Sequence, residues 1–226
     1  MRISAAPAWT DGEFAPNTGG AAKFQRIFPS RWSEGLKESG MEDADDETLV
    51  TRSQHGDTAA MESLIRQHQR MIYSLTYRMT GSSTDAEDLT QETFLRACRQ
   101  IGSYRRASRF STWLYRIAIN VCLTWREREH KRMEVQAGWV ETNGAPEFDQ
   151  DRAVAHNDLG RSVHAALLKL PGKQRAAVML TLYDGMTHAE AAEVLGCSET
   201  TISWRVFVAR RKLQKWLVHA GETAKS

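Results

Sequence analysis

The sequence predicts an all-α protein made of two small helical domains joined by a flexible acidic linker. Three observations carry that expectation. Beyond Asp45, apolar residues recur at steps of three and four with no convincing alternating run, which is the period of amphipathic helices. Residues that start and stop helices punctuate the same stretch. An acidic segment without a clean period separates the two periodic halves. With 226 residues, 41% hydrophobic and 26% charged, the chain has the length and composition of one large or two small soluble domains. The expected boundaries are an N-terminal extension at 1–45, a first helical domain at 46–132, a linker at 133–152, a second helical domain at 153–218 and a tail at 219–226.

The extension is rich in Ala, Gly, Pro and Ser, and it reads as flexible. Within it Phe24, Ile27, Phe28 and Trp32 have helical spacing interrupted by Pro29, which allows a short docking element. Met41, just before the acidic start of the first domain, is an alternative initiator. No secretory signal is legible at the N-terminus, and no run reaches the roughly 18 to 20 apolar residues of a membrane helix, so the expected location is cytoplasmic without membrane insertion.

In the first domain, Met61, Leu64, Ile65, His68, Met71, Ile72, Leu75 and Met79 form an apolar stripe ended by Gly81. Thr84 and Glu87 read as a capping box opening a helix to about Ile101, with Leu89, Phe94, Ala97, Cys98 and Ile101 inward. After a loop from Gly102 to Phe110, a third helix starts near Ser111 with Trp113, Leu114, Ile117, Ala118, Val121, Cys122 and Trp125 as its stripe. In the second domain, Val163, Ala166, Leu167 and Leu170 precede Pro171, and Val178, Met179, Leu182 and Tyr183 stripe the next helix. Thr187 and Glu190 form a second capping box, Gly196 permits a positive-φ turn, and Ser198 caps a long helix with Ile202, Val206, Ala209, Leu213 and Leu217 inward. That succession is a helix-turn-helix pattern.

The net charge of +2 conceals a strong segregation. Between Phe94 and Arg132 ten basic residues face only Glu127 and Glu129, a density that suits a polyanion. The stretch from Met133 to Gly160 carries six acids and one base, and positive charge returns with Arg205, Arg210, Arg211, Lys212 and Lys215. In a helix-turn-helix the start of the second helix enters the major groove, so Thr200, Thr201, Ser203, Trp204 and Arg205 are the base-edge candidates, with Arg210, Arg211 and Lys212 placed for phosphates. An ordinary helical hairpin with a basic end is the alternative. In the first domain Tyr104 and Phe110 bracket Arg105, Arg106 and Arg109, a basic and aromatic loop of the kind that holds single-stranded nucleic acid. Phe110, Trp113 and Tyr115 also read as core, which leaves the loop itself as the functional candidate. Asp85, Asp88, Gln91 and Glu92 stripe the start of the second helix, where the helix dipole alone accounts for some of the acids. The seven dispersed histidines form no metal set, no nucleophilic triad or phosphate loop appears, and Cys98, Cys122 and Cys197 are expected as reduced thiols. No enzyme activity and no cofactor is expected.

Two motif blocks carry a family resemblance. Asp85-Ala-Glu-Asp-Leu-Thr-Gln-Glu-Thr-Phe-Leu-Arg-Ala97 and Ser108-Arg-Phe-Ser-Thr-Trp-Leu-Tyr-Arg-Ile-Ala-Ile-Asn120 resemble region 2 of the extracytoplasmic-function (ECF) sigma factors, group IV of the bacterial sigma-70 family. Leu170-Pro171 through Leu213, with Met186-Thr-His-Ala-Glu-Ala-Ala-Glu-Val-Leu-Gly196, resembles region 4. The resemblance implies a protein that binds the RNA polymerase core through its beta-prime and beta subunits and recognises promoter DNA. By position it implies that Asp85, Asp88, Gln91 and Glu92 meet the beta-prime clamp helices. It further implies that Tyr104, Arg105, Arg106, Ser108, Arg109, Arg116 and Asn120 read the minus-10 element with a flipped base, and that Thr200, Thr201, Ser203, Trp204, Arg205 and Arg210 read the minus-35 element. An anti-sigma partner and a stress-response role come with the family. Ser203-Trp204-Arg205-Val206 stands where many members carry Lys-Ser-Arg-Leu, a departure that alters the minus-35 expectation. The competing function is a free-standing helix-turn-helix regulator that binds duplex DNA without polymerase.

Overall fold

The computed structural model describes residues 45–137 and 158–223. The extension before residue 45 with Phe24, Ile27, Phe28 and Trp32, the initiator question at Met41, and the expected linker from 138 onward lie outside the described residues. The fold is all-α, with two helical bundles and no strand among the described residues. The first bundle comprises α1 (Asp46–Gln54), α2 (Thr58–Thr80), α3 (Ser83–Gln100), a 3-10 turn (Ile101–Ser103) and α4 (Phe110–Ala137). The second comprises α5 (Asp158–Leu168), α6 (Gly172–Val178), one π turn (Met179–Tyr183), α7 (His188–Leu195) and α8 (Glu199–Thr223). Packing divides the described residues along a different line: 45–69 with 94–110 form one compact unit, and 70–93 with 111–137 and 158–223 form the other.

In the first unit, Leu49, Val50, Met61, Leu64, Ile65, Phe94, Ala97, Cys98, Ile101 and Phe110 are buried. Each fully buried aliphatic or aromatic side chain of this kind contributes about 1.5 to 3 kcal/mol. Helix α1 ends at a turn where Gly56 has φ of 89°, a left-handed conformation that glycine adopts without strain. The Asp57 carboxylate then caps α2 by accepting from the amides of Ala59 and Ala60. These bonds, with Arg52, hold its carboxyl below the ordinary value. His68 binds Asp46 at 3.0 Å, which explains a histidine on an apolar stripe without invoking a metal.

In the second unit, the buried Thr76 hydroxyl lies 3.1 Å from the Ala86 carbonyl and 2.9 Å from the Thr90 hydroxyl, tying the end of α2 to the start of α3. Helix α3 begins at Ser83, and the Ser82 hydroxyl accepts from the Asp85 amide, so Ser82 and not Thr84 supplies the cap. A cap two residues earlier satisfies the same kind of orphan amide, and Thr84 is left on the helix surface. Helix α4 starts at Phe110 and continues through Ala137, five residues past the boundary expected from sequence. Leu114, Tyr115, Ile117, Ala118, Ile119, Val121 and Cys122 are buried on it, whereas Trp125 is only half-buried. Trp113 is likewise half-buried. Burial pushes the Cys98 and Cys122 thiols up to about 12, so neither ionises at neutral pH. All three cysteines are free thiols.

The second bundle departs from the expected stripe at one place. Val178 and Met179 are buried, but Leu182 and Tyr183 are exposed. The Asp184 amide donates to the Met179 carbonyl five residues earlier, and this wider turn shifts the following side chains by one position around the axis. Leu180 takes the buried position instead.

Candidate nucleic-acid interface

The basic loop is held at its start and at Arg106 by α1, within the first unit. The Gln54 side-chain amide donates to the Ile101 carbonyl at 3.0 Å and to the Tyr104 carbonyl at 2.9 Å. Arg106 adopts φ of 55°, a left-handed conformation costly for a side chain with a Cβ, and its guanidinium donates to the Thr51 hydroxyl and pairs with Glu47 at 3.5 Å. Tyr104 is half-buried, packs edge-on against Phe110 at 5.8 Å, and donates its hydroxyl to the Ser108 carbonyl. Phe110 is buried, so of the two aromatics that bracket the loop only Tyr104 retains surface for a base. Arg105 and Arg109 are exposed, Ser108 is half-buried, and Arg106 is exposed but engaged. The result is a shaped concentration of positive charge on an anchored loop.

Arg116 and Asn120 lie one turn apart on α4 in the second unit, Arg116 half-buried and Asn120 exposed. Arg116 is occupied: it donates to the Glu193 carbonyl of α7 at 2.9 Å and lies 3.6 Å from the Glu193 carboxylate.

The helix-turn-helix forms as its sequence signals dictate. Thr187 and Glu190 make both halves of the capping box. Gly196 closes α7 with φ of 58°, and the Ser198 hydroxyl accepts from the Thr201 amide to open α8. Thr200, Ser203, Trp204 and Arg210 are exposed, with Trp204 at 59%. Thr201 is half-buried with its hydroxyl 2.8 Å from Ser198, and Ser203 lies 2.9 Å from a ring nitrogen of His188. The half-buried Arg205 turns its guanidinium toward the Cys197 sulfur at 3.4 Å, so it must swing outward to meet a guanine edge. Beside this surface, Leu182, Met186, Val206 and Phe207 line an apolar groove with Arg210 at its rim.

The acidic stripe of α3 is present as a face. Asp88 is exposed, and Asp85, Gln91 and Glu92 are half-buried. Glu87, beside them, has its carboxyl raised by burial and then by the neighbouring Asp88 charge, a sign of crowded negative potential. Among the described residues no group of histidine, cysteine and acidic side chains is arranged to hold a metal ion, and no helix is long and apolar enough to cross a membrane.

Sequence reasoning missed the residues that anchor these sites. Gln54, Thr51 and Glu47 lie some fifty positions from the loop they hold, and a helix-surface glutamine carries no local signal. Arg175 was also missed. It is buried and donates to the carbonyls of Leu167, Leu168 and Met79. Burial, and then the Arg126 guanidinium, push its pKa down to about 9, which still leaves it cationic at neutral pH.

The sequence matches the family Sigma-70 region 2 over residues 64–132 and Sigma-70, region 4 over residues 160–213. It is 38% identical over 176 residues to the ECF RNA polymerase sigma factor SigE of Mycolicibacterium smegmatis, covering 76% of this chain and 68% of that protein. It is 33% identical over 180 residues to the RNA polymerase sigma-H factor of Pseudomonas aeruginosa, covering 76% of this chain and 93% of the relative. Among solved structures, the sigma factor RpoE in complex with the anti-sigma factor NepR from Bartonella quintana aligns at a TM-score of 0.55 and 25% identity, over 69% of this chain and 95% of that one. CnrH in complex with the cytosolic domain of CnrY aligns at a TM-score of 0.56 and 27% identity, over 77% of this chain and 97% of that one.

Proposed function

This chain belongs to the extracytoplasmic-function sigma factors of the sigma-70 family, directing RNA polymerase to promoters without catalysis of its own, and from that premise we propose how its residues divide the work. The loop from Tyr104 to Arg109, with Arg116 and Asn120, reads and opens the minus-10 element. Helix α8 reads the minus-35 element through Thr200, Thr201, Ser203, Trp204, Arg205 and Arg210. The α3 face of Asp85, Asp88, Gln91 and Glu92 docks on the polymerase beta-prime subunit, with further contacts to beta. The expected domains, 46–132 for core and minus-10 binding and 153–218 for minus-35 binding with an acidic linker at 133–152, are extended by α4 to Ala137 and by α8 to Thr223.

The observation that carries this reading is the anchored loop. Its backbone is fixed by Gln54 and Arg106, yet Arg105, Arg109 and part of Tyr104 face solvent, which is the arrangement a base-capturing loop requires. Extruding a base costs a few kcal/mol, and stacking on an aromatic returns roughly 1 to 3 kcal/mol, so the identity of the base decides the balance. A separate anti-sigma protein is the proposed regulator, supported by the structural relative solved with one. The deciding experiment is run-off transcription with purified core polymerase on genomic templates. Promoter-specific transcripts that appear only when this chain is added support the proposal, and duplex binding without any stimulation of core refutes it.

A further inference from the structure

We propose that His188 is a positioning residue for promoter reading, because its ring decides whether the Ser203 hydroxyl offers DNA a proton or a lone pair. The inference rests on α8 being the minus-35 reader and deepens that reading. It adds a residue on α7 that sets base preference at one position by acting through Ser203.

The pair is built across the two helices of the motif. His188 is the first residue of α7, directly after the Thr187 cap, and Ser203 lies fifteen positions on, in the second turn of α8. Both are exposed, and the His188 Nδ1 is 2.9 Å from the Ser203 hydroxyl oxygen. Features behind them fix this approach. The Thr187–Glu190 box sets where α7 begins, Gly196 turns the chain with φ of 58°, and burial of Ile202 and Val206 sets the rotation of α8. A serine inside a helix commonly turns its hydroxyl back on a carbonyl of the preceding turn. The imidazole gives the Ser203 hydroxyl an outward partner, and both side chains line the groove that Leu182, Met186, Val206 and Phe207 share.

A hydroxyl has one proton to give and lone pairs with which to accept. With the ring neutral and its proton on Nε2, Nδ1 accepts that single proton, and Ser203 keeps only lone pairs for a base. It then favours cytosine, whose major-groove edge presents a donor alone, the N4 amine. With the ring protonated, Nδ1 becomes a donor and Ser203 must accept from it. That frees the hydroxyl proton for the N7 and O6 acceptors of guanine or the O4 of thymine. Adenine presents both an acceptor and a donor, so both states serve it. Histidine changes charge between about pH 5 and about pH 8, and pH therefore drives the exchange. Among the residues lining the groove, only Arg210 of α8 is charged beside His188, and on α7 Glu190 is committed to the Thr187 cap.

The test uses the full chain and DNA duplexes randomised over the length of a minus-35 element, selected at about pH 5.5 and about pH 8. Ser203→Ala first marks the position that Ser203 reads, as the one whose preference it removes. At that position the readout is the ratio of cytosine to guanine plus thymine, in which effects of pH on overall affinity cancel. Wild type is expected to move the ratio about fivefold toward guanine and thymine as the pH falls. His188→Asn keeps a polar amide near the place of Nδ1 but does not titrate, so its ratio should be the same at both pH values. His188→Ala leaves the hydroxyl free to rotate and should relax the position at both. In a Ser203→Ala background the His188 substitutions should change nothing further. A wild-type ratio that holds across pH, a ratio that still moves in His188→Asn, or a Ser203→Ala protein with every preference intact overturns the proposal. Selection of no sequence by the wild type overturns it together with the reading of α8. A ratio that moves as expected in a chain that fails to stimulate core polymerase leaves the role of His188 standing and refutes the sigma-factor assignments instead.

Discussion

The loop at 104–109 presents exposed basic side chains itself, and the turn at 196–198 presents the exposed hydroxyl and basic side chains of the helix it opens, such as Thr200, Ser203 and Arg210, but the two are held in opposite ways. The turn is fixed by neighbours: the Thr187–Glu190 box, the left-handed Gly196 and the Ser198 cap all act within four residues. The loop is fixed from a distance, by Gln54 on two of its flanking carbonyls and by Thr51 and Glu47 on Arg106. Locally closed turns survive changes elsewhere in the molecule. A remotely anchored loop depends on one helix staying docked, and a change in that helix should reach the promoter through it.

The largest expected effect breaks the remote anchor. Gln54→Ala removes the side-chain donor of the Tyr104 carbonyl and leaves the Ile101 carbonyl with the Tyr104 amide, which costs about 1 to 3 kcal/mol in total. A loss of about 2 kcal/mol in denaturant unfolding is the expected outcome, together with a changed ranking of minus-10 sequences and an unchanged ranking of minus-35 sequences. Next comes the local turn. Gly196→Val forces a β-branched residue into φ of 58°, at a cost of about 1 to 2 kcal/mol, and should weaken minus-35 binding while leaving minus-10 preference intact. Thr187→Ala removes one cap at a cost of about 1 kcal/mol, with the same selectivity measured on the same duplexes. The smallest effect on stability should come from Asp88→Lys with Glu92→Lys. Asp88 is exposed and Glu92 half-buried, and charges so placed contribute little to folding but steer association, so the melting temperature should change by only a few degrees while affinity for core polymerase falls at moderate salt.

This contrast also explains what the sequence could disclose. The caps and the turn of the helix-turn-helix were legible because their determinants are neighbours, Thr187 with Glu190, Gly196, and Ser198 at fixed offsets from an apolar stripe, whereas the contacts of Ser203 with His188 and of Arg205 with Cys197 were not. The helical stripes of α2 and α3 were legible for the same reason, through residues such as Leu64, Ile72, Leu75, Phe94 and Ala97. The outward rotation of Leu182 and Tyr183 was not, because a π turn is set by packing and leaves no local residue signature. Arg175 reads as a surface base in any periodicity argument, and only the tertiary meeting of helix ends makes burial of its guanidinium tenable. Arg106 reads from sequence as one more base of the nucleic-acid loop, and only the tertiary approach of α1 engages it with Thr51 and Glu47.

The division of promoter reading between the two sites is tested most directly by run-off transcription from promoter libraries randomised separately at the minus-10 and minus-35 elements. Two proteins are compared with wild type, one carrying another family member's loop in place of Arg105 to Ser108 and the other carrying Arg205→Ala. The loop exchange should change the preferred minus-10 base and leave minus-35 choice alone. Arg205→Ala should relax one minus-35 position, by about 1 to 3 kcal/mol of discrimination, and leave minus-10 choice alone. A loop exchange that ranks every minus-10 sequence as wild type does would show that the loop is only structural. An Arg205→Ala protein that loses affinity equally for all sequences would show that Arg205 contacts phosphate, and together those two results would contradict the division of labour proposed for this chain.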